Sequence, residues 1–331
     1  MTHKSAIQRS HMGFQRGFSL IELLVAVAIL LIVSAVVIEG MAKMSLTNST
    51  INNRTQMHAG VRSATEVMQQ EIGQAGKIAL PTETVTLTGG VTVTNPDIPV
   101  TATLGVSSAA GMFLNEKLLI DAGASQETIT LTAVDAGSNQ ITAAFTVTHV
   151  AGAAVRVAGG FANGVIPTIA TNGSSATVLK LFGDINDDGN MLYIEYTCDT
   201  VAGKLYRNVM SVSATGKPAL TDSLVLLPNI QPNPGGTACF TYQEKTVPTV
   251  SGETYVLNVA VTLSVQTEQK DIDTNQYQTE TKALLNVSPR NVYEAWLLRS
   301  GNFTDRVQLT PANVTCLVSA TAGATGACSG S

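Results

Sequence analysis

The sequence predicts an α+β protein: a long N-terminal α-helix, transmembrane and then amphipathic, packed on an antiparallel β-sheet head. Three observations support that class. From Phe18 to Ile38 the chain reads FSLIELLVAVAILLIVSAVVI, 21 residues carrying the single charge of Glu22. The first proline is Pro81, so nothing forces the helix to stop at a membrane surface. Beyond Pro81 the composition turns to Thr, Val, Ala and Gly in short alternating runs separated by turn residues, the pattern of strands and hairpins. Across all 331 residues only 13% are charged and 5% aromatic, with a net charge of −5. That composition excludes a disordered chain and a basic nucleic-acid binder.

At about 1.5 Å per residue the apolar run crosses a hydrocarbon core of roughly 30 Å. Lys4, Arg9 and Arg16 precede it with no acidic residue among them. The positive-inside rule therefore leaves the N-terminus in the cytoplasm and sends everything after about residue 40 across the membrane. A cleaved secretory signal fits less well: it would be shorter, would end in a small-x-small site and would not carry a carboxylate. Glu22 is the anomaly, because a charge at bilayer depth costs several kcal/mol unless it finds a partner. Past the membrane, Ile51, His58, Val61, Thr65, Met68, Ile72 and Ala75 recur at helical spacing as an amphipathic stripe. A helix from Phe18 to Gly76 would be roughly 85–90 Å long. Gly40 and the polar run Asn48 to Asn53 favour a bend between residues 40 and 53. His58 is read as a residue of the helix face.

The strands follow in order. Residues 82–94 (TETVTLTGGVTVT) read as a hairpin across Gly89-Gly90, then a loop at 95–99, then strands at 117–121, 127–132 and 140–145. Residues 81–160 are taken as a small β-module inserted between helix and head; the other reading extends the head sheet through them. In the head, 161–331, strands are expected at 177–182, 191–197 and 204–210. Tyr255 to Val265 alternates, placing Tyr255, Leu257, Val259, Val261, Leu263 and Val265 on one face. Its partner is expected at 277–287, across a polar turn at 271–275.

Two sets of residues suggest local chemistry. Asp184, Asn186, Asp188 and Asn190, with Gly189 at the turn and Glu195 eleven residues after Asp184, match the spacing of a calcium loop, whose hard oxygen donors suit Ca²⁺. The alternating residues 191–197 read as a strand, however, which suits a metal-free hairpin turn rich in Asx residues equally well. Cys198, Cys239, Cys316 and Cys328 all lie in the exported part, an even count that favours disulfides of undetermined connectivity. His58 and His149 are the only histidines after residue 17, and no nucleophile elbow, phosphate loop or HExxH is present. A non-enzymatic protein is expected.

Gly17-Phe18-Ser19-Leu20-Ile21-Glu22-Leu23-Leu24 resembles the prepilin cleavage and methylation motif of type IV pilins and type II secretion pseudopilins. The resemblance implies a leader, residues 1–17, removed between Gly17 and Phe18 by a prepilin peptidase. It further implies an N-methyltransferase acting on the new Phe18 amine, and a Glu22 that attracts the terminal amine of a neighbouring subunit during assembly. Translation from Met12 would shorten the leader to six residues without changing the mature chain. Loss of Lys4, Arg9 and Arg16 leaves 16 basic against 24 acidic side chains. That acidic balance opposes nucleic-acid binding.

Residues 104–157, with an "ID.G" turn, a "QET" strand and a "THVAGAAV" ending, resemble a small β-module of bacterial and phage surface proteins. The last strand pair, ending in Ser288-Pro289-Arg290-Asn291, resembles the closing strands of PilW-type minor pilins and of pseudopilin J. By the same resemblance Cys316 and Cys328 close a C-terminal loop, leaving Cys198 for Cys239. The implied function is that of a minor pilin which primes or caps a type IV pilus. Its partners would be major and minor pilins, an inner-membrane assembly platform and membrane lipid, with the head periplasmic before assembly. A type II secretion pseudopilin and a tip adhesin displaying the 81–160 module are the alternatives.

Overall fold

The computed structural model describes residues 17–248, 253–272 and 274–328. The basic leader residues Lys4, Arg9 and Arg16 and the second start, Met12, lie outside these residues. The class is α+β, as expected: one long helix followed by an antiparallel β head.

Helix α1 (Leu20–Gln74) has 55 residues, about 83 Å at the usual rise. It runs unbroken through residues 40–53, where the composition favours a bend. Thr47 Oγ1 donates to Lys43 O and Thr55 Oγ1 to Ile51 O, and Lys43 pairs with Glu39 one turn earlier. The weak propensity of Gly40 and the Asn residues, at most about 1 kcal/mol each, does not break the helix here. The buried face is Val61, Ala64, Thr65, Met68, Glu71 and Ile72, with Met57 packed partly against it. Ile51 and His58 are exposed, so the packed stripe begins about two turns later than the periodicity suggests. Burial of Val61, Met68 and Ile72 alone stabilises the helix on the head by roughly 5–9 kcal/mol. The chain leaves α1 at Gly76, whose φ of +82° suits glycine, and a Cβ on the facing Gly164 would lie 2.3 Å from the Gly76 nitrogen.

Six strands come next: β1 (Val85–Thr86), β2 (Val100–Gly105), β3 (Lys117–Ile120), β4 (Glu127–Asp135), β5 (Gln140–Phe145) and β6 (Ala154–Val157). They pair in the order β1-β6-β3-β4-β5-β2. A bridge between Leu87 and Val106 joins the first to the last and closes a small barrel. It encloses its own apolar core, including Leu87, Leu118, Ile120, Leu131, Ile141 and Phe145. The hairpin expected across Gly89-Gly90 does not form. Val85 pairs with Val155, Leu87 N donates to Ala153 O, and Val91 bridges His149. Both halves of that segment thus pair with the end of the barrel, because closing the sheet satisfies the edge that a free-standing hairpin would leave open.

The head contains β7 (Gly160–Phe161), then the meander β8 (Val178–Gly183), β9 (Leu192–Asp199), β10 (Lys204–Ser211) and β11 (Val225–Pro228). A second sheet follows, built from β12 (Ile230–Gln231), β13 (Phe240–Val247), β14 (Glu253–Gln266) and β15 (Thr279–Val287). In it β14 pairs with all three others. The face expected along β14 switches at a bulge, since Gln243 opposes Asn258 but Glu244 opposes Val256. Val256, Val259, Val261, Leu263 and Val265 consequently join the core under α1. Tyr255 and Leu257 turn to the other side.

Two short helices had no counterpart in the strand pattern: α2 (Arg290–Ser300) and, after β16 (Val307–Gln308), α3 (Ala312–Ser319). Val292 and Ala295 of α2 pack with Tyr255 and Leu257. Val314, Leu317 and Val318 of α3 cover Phe182, Tyr193 and Met210 on the face of the first sheet away from α1.

Candidate functional site

The N-terminal segment is built by its own cap. Ser19 has extended backbone (φ −73°, ψ 147°), and its side chain accepts from the Glu22 backbone N–H at 3.2 Å. With Glu22 at the third helical position this is the spacing of a capping box. The carboxylate also sits in the first turn, where the helix dipole favours a negative charge. The cap fixes where helix begins, so Gly17 and Phe18 precede it in non-helical backbone, both exposed. From Phe18 to Ile38 every large apolar side chain is exposed, Phe18 at 84% and Leu20 at 81%. A helix apolar all round and covered by nothing among the described residues is built for lipid or for other helices.

At the other end of the helix, Glu71 is 6% exposed and fully engaged. Arg207 of β10 donates to both its oxygens and Tyr196 of β9 donates its hydroxyl to Oε2. Burial disfavours the Arg207 charge, but its hydrogen bonds and attraction to Glu71 outweigh this and raise its pKa. Burial keeps the Tyr196 phenol protonated as a donor. This clamp fixes the rotation of α1 about its axis, and hence the direction in which the free half of the helix leaves the head. No local signal marks it: Glu71 looks like one of several polar residues between apolar positions, and Arg207 lies 136 residues away.

The Asp184 loop is a turn organised around a lysine. Asp184 Oδ1 accepts from Asp188 N, Asp188 Oδ1 accepts from Asn190 N, and Asp187 and Gly189 take positive φ. Lys77, just after α1, pairs with Asp184 at 3.0 Å and with Asp187. Glu195 does not join them. On β9 its side chain is buried, accepting from Lys217 Nζ at 2.7 Å and from the Tyr193 hydroxyl at 2.9 Å, with Lys180 Nζ at 3.7 Å. The β8–β9 ladder pairs Glu195 with Lys180, four residues before Asp184. An extended strand thus carries Glu195 away from the loop that it would close in a helix-flanked calcium site. Among the described residues no group of three or more His, Cys, Asp or Glu side chains is arranged to hold a metal ion. Of the donors near the turn, Asp184 already has a cation in Lys77.

The structure pairs Cys198 with Cys239, tying the end of β9 to the start of β13, and Cys316 with Cys328, closing the C-terminal segment onto α3.

Residues 12–38 match the family described as the prokaryotic N-terminal methylation motif. Comparison with curated proteins and with solved structures returned no match. The matched motif is characteristic of type IV pilins and pseudopilins, and the helix-on-sheet architecture is pilin-like. It implies processing by a prepilin peptidase and assembly with other pilins.

Proposed function

We propose that the chain is a minor pilin, a non-enzymatic subunit that primes or caps a type IV pilus. The observation behind this reading is the division of α1. Leu20 to Gln56 lies outside the apolar core, about 55 Å of helix, whereas Met57 to Gln74 is locked onto the head. In this reading cleavage after Gly17 frees the Phe18 amine, which is methylated and meets the Glu22 carboxylate of a neighbour, neutralising a charge that lipid would penalise. The free helix lies in the inner membrane with the head periplasmic until it enters the filament core. Size supports the word minor: the barrel enlarges the head well beyond the sheet that receives α1, and a few bulky heads fit a tip better than a shaft.

A specific observation favours a second role beside the first. The barrel of residues 85–157 has its own core, as a displayed module would, so the same subunit could carry an adhesin to the tip. A type II secretion pseudopilin shares the methylation motif. A deletion strain scored for surface filaments, twitching and secreted protein tests the assignment. Loss of filaments and twitching with normal secretion is the expected outcome; lost secretion with normal filaments assigns the chain to the secretion machine.

A further inference from the structure

The face of the first sheet covered by α3 holds polar chemistry that pilus assembly does not use. Lys180, Glu195 and Asn208 lie side by side across β8, β9 and β10: Glu195 pairs in register with Lys180 on one side and with Asn208 on the other. Directly paired antiparallel residues point to the same face, with Cβ atoms about 5 Å apart. Lys217 lies over them, its backbone held by Ala324 and Gly323 of the Cys316–Cys328 loop. All four side chains belong to buried residues: Lys180 is 7% exposed, Glu195 8%, Asn208 1% and Lys217 3%.

Two features of this cluster are unbalanced. It places two amines around one carboxylate, and a buried excess charge is costly unless one amine gives up its proton. Lys180 is anchored otherwise, donating to the carbonyls of Asn172 and Val318. The Lys217 amine donates to Glu195, with the Tyr193 ring 5.6 Å away. The second imbalance is the Asn208 amide. Its nitrogen donates to Pro218 O, the residue after Lys217, while its Oδ1 is buried without a partner.

We propose that Lys217 and Asn208 form an intramolecular amide bond, with Glu195 as the proton-transfer group. The neutral Lys217 amine attacks Asn208 Cγ, and Glu195 takes the amine's proton and passes it to the leaving nitrogen. The Cγ–Nδ2 bond breaks and ammonia departs, so amine plus primary amide give a secondary amide plus ammonia, with no oxidant or cofactor. The product removes the excess charge and leaves Lys180 and Glu195 as a neutral pair. It also ties the segment bearing Lys217, and with it the disulfide loop, to the sheet that carries α1. Burial already lowers the pKa of Lys180, in keeping with a site that disfavours a second ammonium.

Mass spectrometry of the full chain, reduced and digested with trypsin, tests this. The peptide from Asn208 to Lys245 should be lighter than its sequence mass by one ammonia, about 17 Da. Fragmentation between residues 208 and 217 should be suppressed, because that stretch is cyclic. Lys217→Arg and Glu195→Gln should restore the full mass. A wild-type peptide at full mass overturns the proposal, and so does a deficit that survives Lys217→Arg, which would mark a backbone succinimide at Asn208 instead.

Discussion

Replacing Glu71 by Ala removes the carboxylate that fixes α1 on the head while keeping a good helix former. Tyr196, 0% exposed, would retain a hydroxyl with no acceptor, a cost of about 1–3 kcal/mol. Arg207 would lose its counter-charge; breaking a buried pair costs about 3–5 kcal/mol. The Arg207 side chain is 30% exposed, so water screens part of that cost and the lower end applies. The two penalties share one carboxylate, and together they predict about 4 kcal/mol. At about 2.1 cal/mol/K per residue, that lowers the melting midpoint of a 331-residue chain by about 6 °C. Circular dichroism melts of the full chain in detergent read it directly. In the cycle with Arg207→Ala and the double variant, the double substitution should cost at least about 1.5 kcal/mol less than the sum of the singles. A Glu71→Ala midpoint within a degree or two of wild type, or strict additivity in the cycle, would refute the clamp as the device that orients the helix.

Three further outcomes follow from the same structure. Burial pushes the Glu116 carboxyl up from 4.5 to about 8; the folded state then holds a proton that the unfolded state releases, so this group's stabilisation is complete below about pH 4.5 and is lost as pH rises through 8. Glu116→Gln should remove about 3–5 kcal/mol of that pH dependence, read as melting midpoints between pH 5 and 8. Opening Cys198–Cys239, 41 residues apart, and Cys316–Cys328, 12 apart, should cost about 4 and about 3 kcal/mol on the loop-entropy scale; single Cys→Ser pairs in denaturant melts measure each. Lys77→Met should destabilise the fold by about 2–4 kcal/mol, because Asp184, 1% exposed, loses its cation, and millimolar Ca²⁺ should leave the wild-type midpoint unmoved.

The α1 helix was legible because its signals are local: an apolar run, a cap and no proline before residue 81. The head strands were legible for the same reason, with 178–183, 192–199 and 204–211 falling close to the alternating runs. The misread features depend on partners far away in sequence. Gly89-Gly90 looks like a hairpin turn until the 149–155 segment arrives to pair with it. Tyr255 and Leu257 fit the period of β14 until one bulge reverses their face. Ile51 fits the helical stripe, but the head does not reach that far along α1. The short helix α2 follows Pro289 and spans only eleven residues, too few to set a clear helical period until β14 supplies the surface that it covers. In the Asp184 loop the donors have calcium-loop spacing, but Glu195 lies on β9 with Lys217 and Tyr193, and Lys77, more than a hundred residues earlier, pairs with Asp184 and Asp187.

In the proposed function this chain is processed at Gly17 and built into a filament through its free helix. Mass spectrometry of sheared surface filaments tests it most directly. The expected result is a substoichiometric subunit whose N-terminal peptide begins at N-methylated Phe18. A chain absent from the filaments and still carrying its basic leader in the membrane would contradict it.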